Sequence, residues 1–170
     1  AIDTITSLVG VQPIKINSNL VSAQNRNRYY WTDIENVSQP VNLEIYLCNI
    51  ISEMANGAKI FVKKNSKKPK TNQSKAGCLC SGSSGDTSDM DIVVFDESVV
   101  PTSPSGRVNS RATPHSRRYS PEECEQLQTV PVGYTNHVSA GQRYTMLGNG
   151  WTVDVISHIF KNIPKKVVDS

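Results

Sequence analysis

Between Ala58 and about Thr113 the chain changes texture: Lys, Ser, Asn, Gly and Pro dominate, and only Ile60–Val62 and Asp91–Phe95 interrupt them with short apolar runs. Such a composition cannot bury enough apolar surface to make a core of its own, so the stretch reads as loop with a few short strands. The ordered layers must come from the two ends, where apolar residues recur periodically. This divides the chain into segments 1–57, 58–113 and 114–170. The expectation is that the two outer segments pack together, with a last helix beside the strands around Ile14 and Tyr30, while the middle projects away. At 170 residues the chain supports one core, or one modest layer and a small appendage.

In the first segment Ile2, Ile5 and Leu8 share one face of a short helix that Gly10 can close in a left-handed conformation. Pro13 keeps its predecessor out of helix, and Ile14 to Asn17 form a short strand. Ser18–Gln24 is a polar crossover into a second strand, Tyr29–Ile34. Helix, strand, loop and strand make α/β grammar. After Pro40, Leu43, Tyr46, Leu47, Ile50, Ile51 and Met54 recur at helical spacing, and Asn56-Gly57 ends that predicted helix, whose role is packing.

Order resumes at Ser120-Pro121-Glu122-Glu123, where Ser120 is an N-cap, Pro121 the first helical residue and Glu123 the return arm of a capping box. That helix turns Cys124 and Leu127 inward, and a buried free cysteine behaves as a small hydrophobe rather than a nucleophile. Gly148-Asn149-Gly150 reads as a hinge into a final helix with Trp151, Val155, Ile159 and Ile163 on its core face and Asp154, Ser157, His158 and Lys161 opposite. Glycines ahead of a helix let backbone approach a ligand, and free first-turn amides favour an anion, although the same tripeptide is equally an ordinary loop. Asp154 and His158 are two ligands, too few for a metal, and Cys78-x-Cys80 departs from zinc-site spacing.

Charge is unevenly placed. Lys59–Lys75 holds seven lysines and no acid, Asp86–Glu97 holds five acids and no base, and Arg107, Arg111, His115, Arg117 and Arg118 follow. Basic segments flanking short strands suit a phosphate backbone, and the lysine run also reads as a solvated linker. Cys48, Cys78, Cys80 and Cys124 in a chain with no signal-like or membrane-length apolar run point to a reduced, cytosolic protein. Opening at Ala1, the sequence reads as a fragment or processed piece.

Val21–Ile34 is the densest polar feature. Gln24, Arg26 and Arg28 alternate and so share one face, then run into Tyr29, Tyr30 and Trp31. Arg28 falls at the border of a buried strand, where a guanidinium needs carbonyl or phosphate acceptors; a strand end with solvated arginines is the plainer alternative.

Gln24-Asn25-Arg26-Asn27-Arg28, led in by Val21-Ser22-Ala23, resembles motif VIII of the DNA cytosine-5 methyltransferases, whose pattern is Gln-x-Arg-x-Arg. Arg117 to Gln128 resembles motif IX, and Gly148-Asn149-Gly150-Trp151-Thr152-Val153 resembles motif X. Gly133-Tyr134-Thr135, Val138-Ser139 and Gln142-Arg143-Tyr144 fit the family as well. Val-Ser-Ala and the motif X tryptophan are similar to phage members and to the mammalian de novo enzymes.

The resemblance implies an α/β fold: the C-terminal part of a Rossmann-like methyltransferase sheet with flanking helices, plus a small loop-rich target-recognition region over 58–113. In that family a thiolate attacks carbon 6 of a flipped cytosine and S-adenosylmethionine donates a methyl to carbon 5. Carried over by position, Arg28 holds the cytosine O2, Arg26 and Gln24 order the site, and Asn149, Gly150, Trp151 and Thr152 border the cofactor. Arg117 braces the junction with the target-recognition region. Lys63, Lys64, Lys67, Lys68, Arg107 and Arg111 meet double-stranded DNA. The family's cofactor motif, Pro-Cys loop and glutamate motif do not occur in the chain, so the resemblance implies an excerpt of a longer enzyme, a naturally split subunit or the remnant of a broken prophage gene, with an N-terminal methyltransferase half as the expected partner, in a bacterial or phage-infected cytoplasm. A non-catalytic DNA-binding remnant or specificity subunit is the alternative.

Overall fold

Strands β1 (Ile14–Asn17) and β2 (Asn27–Tyr30) pair antiparallel, with Ile14 opposite Tyr30 and Ile16 opposite Arg28, in a computed structural model that describes residues 1–61, 74–79, 92–94 and 116–164. The second strand begins earlier than expected and stops at Tyr30 rather than Ile34. Continuing the register would set Trp31 against Pro13, which has no amide to offer a ladder. Trp31 leaves the sheet instead, and its Nε1 donates to Thr6 Oγ1 at 3.1 Å. Thr6 lies on helix α1 (Ile2–Val9), closed by Gly10 at φ 76° as its position predicts. None of its residues is buried.

The helix expected over Leu43–Met54 is absent. Asn42 Oδ1 accepts from the amide of Glu44, which sits at φ 54°, and the Leu43 amide is committed to Leu20 O at 2.8 Å. A side chain that offers the backbone another partner competes with helix in this way. Two short 3-10 turns, Leu47–Asn49 and Ser52–Asn56, still bury Leu47, Ile51 and Met54, and Gly57 ends the second at φ 89°. Leu43 stays exposed.

Strands β3 (Lys59–Phe61), β4 (Ile92–Val94) and β5 (Ser116–Arg118) form a second antiparallel sheet in that order, with Ile60 opposite Val93 and Val93 opposite Arg117. Helix α2 (Pro121–Leu127) follows. The expected box is present: Ser120 Oγ accepts from the Glu123 amide at 3.1 Å, and Glu123 Oε2 accepts from the Ser120 amide at 2.6 Å. Helix α3 (Ala140–Asn149) is an addition to the sequence reading, started by a similar Ser139/Gln142 box, and α4 (Val153–Phe160) closes the described chain. Helices and strands are thus mixed, in two small antiparallel sheets among the described residues. No described helix is long and apolar enough to cross a membrane.

Two apolar clusters hold these elements. Ile16, Val21, Val155 and Ile159 are buried with Ile14, Leu20, Tyr30, Ile34 and Val37 around them, so α4 lies against the β1–β2 pair as expected. The larger cluster joins Ala23, Leu47, Ile51, Met54, Tyr119, Cys124, Leu127 and Leu147 to Ile60, Ala76, Leu79 and Val93. The last four belong to the middle segment, so its described parts join the core rather than projecting away; the rest of that expectation lies outside the described residues. Among its described residues the apolar ones are drawn inward. Lys63, Lys64, Lys67, Lys68, Cys80, Arg107, Arg111 and the acids of the Asp86–Glu97 stretch lie outside the described residues.

Candidate functional site

The three polar residues expected on one face divide into two buried and one exposed. Gln24 has no accessible surface and Arg26 is 5% exposed, whereas Arg28 stands in solvent. The ladder begins at Asn27, so Gln24 and Arg26 precede the strand and are not subject to its alternation. Gln24 Nε2 donates to Leu127 O at 3.1 Å and its Oε1 accepts from the Leu79 amide at 2.8 Å. Arg26 spreads its fork two ways, Nη1 to Leu79 O at 2.9 Å and Cys78 Sγ at 3.2 Å, Nη2 to Gly148 O at 3.1 Å and Gly150 O at 2.9 Å. A buried guanidinium is tolerable where carbonyls surround it. These carbonyls include ones at the C-terminus of α3 that have no helical partner, which a cation suits. Among the described side-chain atoms, the Arg26 Nε alone is buried without a hydrogen-bond acceptor.

Gly148 and Asn149 form the last turn of α3, so the expected hinge is a helix end. Gly150 has an ordinary φ of −67°, and its requirement for glycine is one of space: a Cβ there would lie 3.1 Å from Met146 O. The first-turn amides of α4 are occupied, Val153 N by Gln128 O at 3.0 Å, Asp154 N by Thr129 Oγ1 at 2.9 Å and Val155 N by Thr152 O at 3.1 Å. They are not free for an anion, which corrects that expectation. Gln128, buried, ends the motif IX stretch, and its role at this turn was not assigned from sequence. Its Oε1 accepts from Thr152 Oγ1 at 3.0 Å and its Nε2 donates to Leu147 O. A lone glutamine at a helix end carries no sequence signal of such a role.

Trp151 and Ile163, expected in the core face, are 64% and 50% exposed, because α4 starts only at Val153 and ends at Phe160. Trp151 instead walls two clefts. One, of about 400 Å³, is lined by Val130, Pro131, Tyr134, Met146, Gly150 and Trp151 among others; the second, of about 330 Å³, by Arg28, Tyr29, Tyr30, Trp31, Trp151 and Phe160 among others. Trp151 and Ile156 belong to both. Burial pushes the Tyr30 phenol up against the opposing pull of Arg26 and Arg28. Asn149 is exposed beside this turn, and Thr152 is buried beneath it. His158 faces Ser38 O at 2.9 Å, and among the described residues no group of three or more His, Cys, Asp or Glu is placed to hold a metal.

Residues 74–79 are laid against the arginines as a short parallel strip. Ala76 N donates to Ala23 O at 2.6 Å and Asn25 N to Ala76 O at 2.9 Å. Lys75 Nζ donates to Asn19 O at 2.9 Å, Ser22 O at 3.1 Å and Ile45 O, and sits 4.7 Å from the Tyr46 ring centroid. Burial lowers its pKa, partly offset by Glu44.

Arg117 ties β5 to two other elements, meeting Glu123 Oε1 at 2.6 Å and Glu53 Oε1 at 2.7 Å. Glu125, without accessible surface, accepts from Gly133 N at 2.6 Å, Thr135 N at 2.8 Å, Thr135 Oγ1 and Arg143 Nη2 at 3.0 Å. Burial pushes its carboxyl up, and the bonds from Thr135, Gly133 and Arg143 outweigh that and bring it down to about 2. Burial drives the Cys124 thiol far upward, with the neighbouring glutamates adding to it.

Helices and strands that carry an arginine-edged cleft beside an apolar one define a mixed α/β protein with two adjoining clefts. The chain belongs to the C-5 cytosine-specific DNA methylase family, whose model matches residues 13–165. That family acts on cytosine in DNA and takes its methyl group from S-adenosylmethionine. No curated protein matches the chain.

Proposed function

We propose that the chain is the C-terminal half of a DNA cytosine-5 methyltransferase and that it methylates carbon 5 of a flipped cytosine once the family's N-terminal motifs are supplied. The observation that carries this reading is the contrast within the motif VIII residues. Arg26 and Gln24 are buried and committed to carbonyls, while Arg28 extends from the strand into the rim of the Trp151 cleft. A planar guanidinium held there has N–H groups to donate to the O2 of an extruded base. Gln24 and Arg26 order that position by joining β2 to the 78–79 strip and the 148–150 turn.

The chemistry of the other cleft suits S-adenosylmethionine. Its lining is apolar, with the Trp151 indole and the Tyr134 ring available for a flat heterocycle and the Gly150 backbone approachable, while Asn149 stands exposed nearby. When bound, the cofactor supplies the methyl group. Thr152 contributes through its bond to Gln128, which fixes the turn that carries Trp151. The nucleophilic thiolate and the glutamate for ring nitrogen 3 come, in this reading, from the N-terminal half, because none of Cys48, Cys78, Cys80 and Cys124 follows a proline as in the family's Pro-Cys loop, and Cys124 is sealed in the core. In this reading residues 1–57 and 114–170 form the catalytic layer, 58–113 read the target, and Arg117 braces their junction. Lys63, Lys64, Lys67, Lys68, Arg107 and Arg111 contact phosphates of duplex DNA and give a salt-dependent affinity.

The test follows labelled methyl transfer to duplex DNA by the chain, by the chain mixed with a polypeptide carrying the N-terminal motifs, and by Arg28→Ala and Arg107→Ala mixtures. The isolated chain is expected to be inactive and the mixture active. Arg28→Ala should cost far more than Arg107→Ala, since a charged hydrogen bond is worth about 1.5–3 kcal/mol. An Arg28→Ala mixture as active as the parent would overturn the assignment. A mixture that binds DNA without any transfer would favour the non-catalytic remnant.

A further inference from the structure

We propose that Cys78 is a positioning residue for Arg28, a role that rests on reading Arg28 as the arginine that meets the base. The sulfur lies 3.4 Å from Arg28 Nη2 and 3.2 Å from Arg26 Nη1, and the thiol donates toward Leu79 O at 3.4 Å. Among the described residues, Cys78 holds the Arg28 guanidinium from outside its own strand; Nη1 bonds Asn27 O, one residue away, at 2.8 Å. An exposed arginine otherwise samples many rotamers, and fixing it before a ligand arrives lowers the cost of binding.

The thiol is itself firmly placed. Its strip is hydrogen-bonded to Ala23 and Asn25, the next residue donates its amide to Gln24 Oε1 at 2.8 Å, and Lys75 clamps the strip to the loop carbonyls of Asn19, Ser22 and Ile45. Sulfur is also the right kind of acceptor for a temporary rest. It is large, polarisable and weak, so Arg28 can exchange it for a base oxygen without stranding a strong acceptor, whereas a carboxylate would hold the guanidinium and neutralise it.

The experiment measures steady-state methyl transfer by the chain assembled with the N-terminal motifs, as parent, Cys78→Ser, Cys78→Ala, Cys78→Asp, Arg28→Ala and Cys78→Ala/Arg28→Ala. Cys78→Ala should lower kcat about tenfold with the KM for S-adenosylmethionine unchanged, the range expected when a catalytic group loses its preset geometry. Cys78→Ser, which keeps a small acceptor, should recover most of the rate, and Cys78→Asp should be at least as slow as Cys78→Ala. In the Arg28→Ala background, Cys78→Ala should cost nothing further, because the two act as a unit. A Cys78→Ala enzyme as fast as the parent, with Arg28→Ala impaired, overturns the proposal and leaves the role of Arg28 standing. Full additivity of the two substitutions also overturns it, since Cys78 would then act through the buried Arg26. An unimpaired Arg28→Ala enzyme removes the reading on which the proposal rests, a pattern distinct from the other two.

Discussion

Replacing Arg26 by methionine removes the link between three separate parts of the chain and should be strongly destabilising. Methionine roughly matches the arginine stem in length and apolar character, so packing changes little. The bonds to Leu79 O, Gly148 O and Gly150 O disappear, leaving those acceptors without their charged donor. A hydrogen bond to a charged group contributes about 1.5–3 kcal/mol, which summed naively over three gives about 4.5–9 kcal/mol. That total overstates the loss. The three share one side chain, and the substitution also relieves the desolvation of a buried guanidinium whose Nε has no acceptor. A net loss of about 3–5 kcal/mol is expected. Domains of this kind have about 5–15 kcal/mol in all. With a urea slope of about 2 kcal/mol/M, the midpoint should fall by roughly 2 M, measured by equilibrium unfolding with tryptophan fluorescence. Arg26→Lys should recover less than half, because one ammonium cannot reach the strip and the turn together. A midpoint within about 0.5 M of the parent for Arg26→Met would refute the reasoning.

Glu125 gives a pH signature. A carboxyl depressed to about 2 in the folded chain stabilises it above the ordinary unfolded pKa and ceases to as pH falls from there through the folded value. Discounted for solvent screening, the roughly 3 kcal/mol that this depression corresponds to becomes about 1–2 kcal/mol. Glu125→Gln should flatten the loss of stability between about pH 4.5 and pH 2 in acid titrations, and an unchanged profile would contradict the assignment. Ser120→Ala should destabilise by about 1 kcal/mol through loss of the α2 cap, checked by the shift of the thermal midpoint. Ile159→Ala should cost about 2–5 kcal/mol, whereas Phe160→Ala, whose side chain is 57% exposed, should cost much less; equal losses by denaturant unfolding would misplace the face of α4.

Features governed by nearest neighbours were legible in the chain. Gly10 closes α1 and Gly57 closes the turn before β3 because a left-handed residue after a helix favours glycine wherever it occurs. The Ser120/Glu123 box and the β1 strand are equally local. The box at Ser139 was as local and went unread, since Gly141 and Gly148 weaken the helical pattern around it. The fate of Leu43–Met54 was different in kind. Its spacing is helical, but the Leu43 amide finds Leu20 O and the Leu47 amide finds Ser74 O, partners that exist only once distant segments meet. The same holds at the site. Motif residues were visible as a pattern, yet which arginine is buried, why Gly150 must lack a Cβ, and that Gln128 and Cys78 stand beside Arg26 and Arg28 depend on where α3, β2 and the 74–79 strip come to rest. Sequence encodes caps and periodicity through contacts a few residues apart, while hydrogen-bond satisfaction around Arg26 is decided among groups 53 to 124 residues apart.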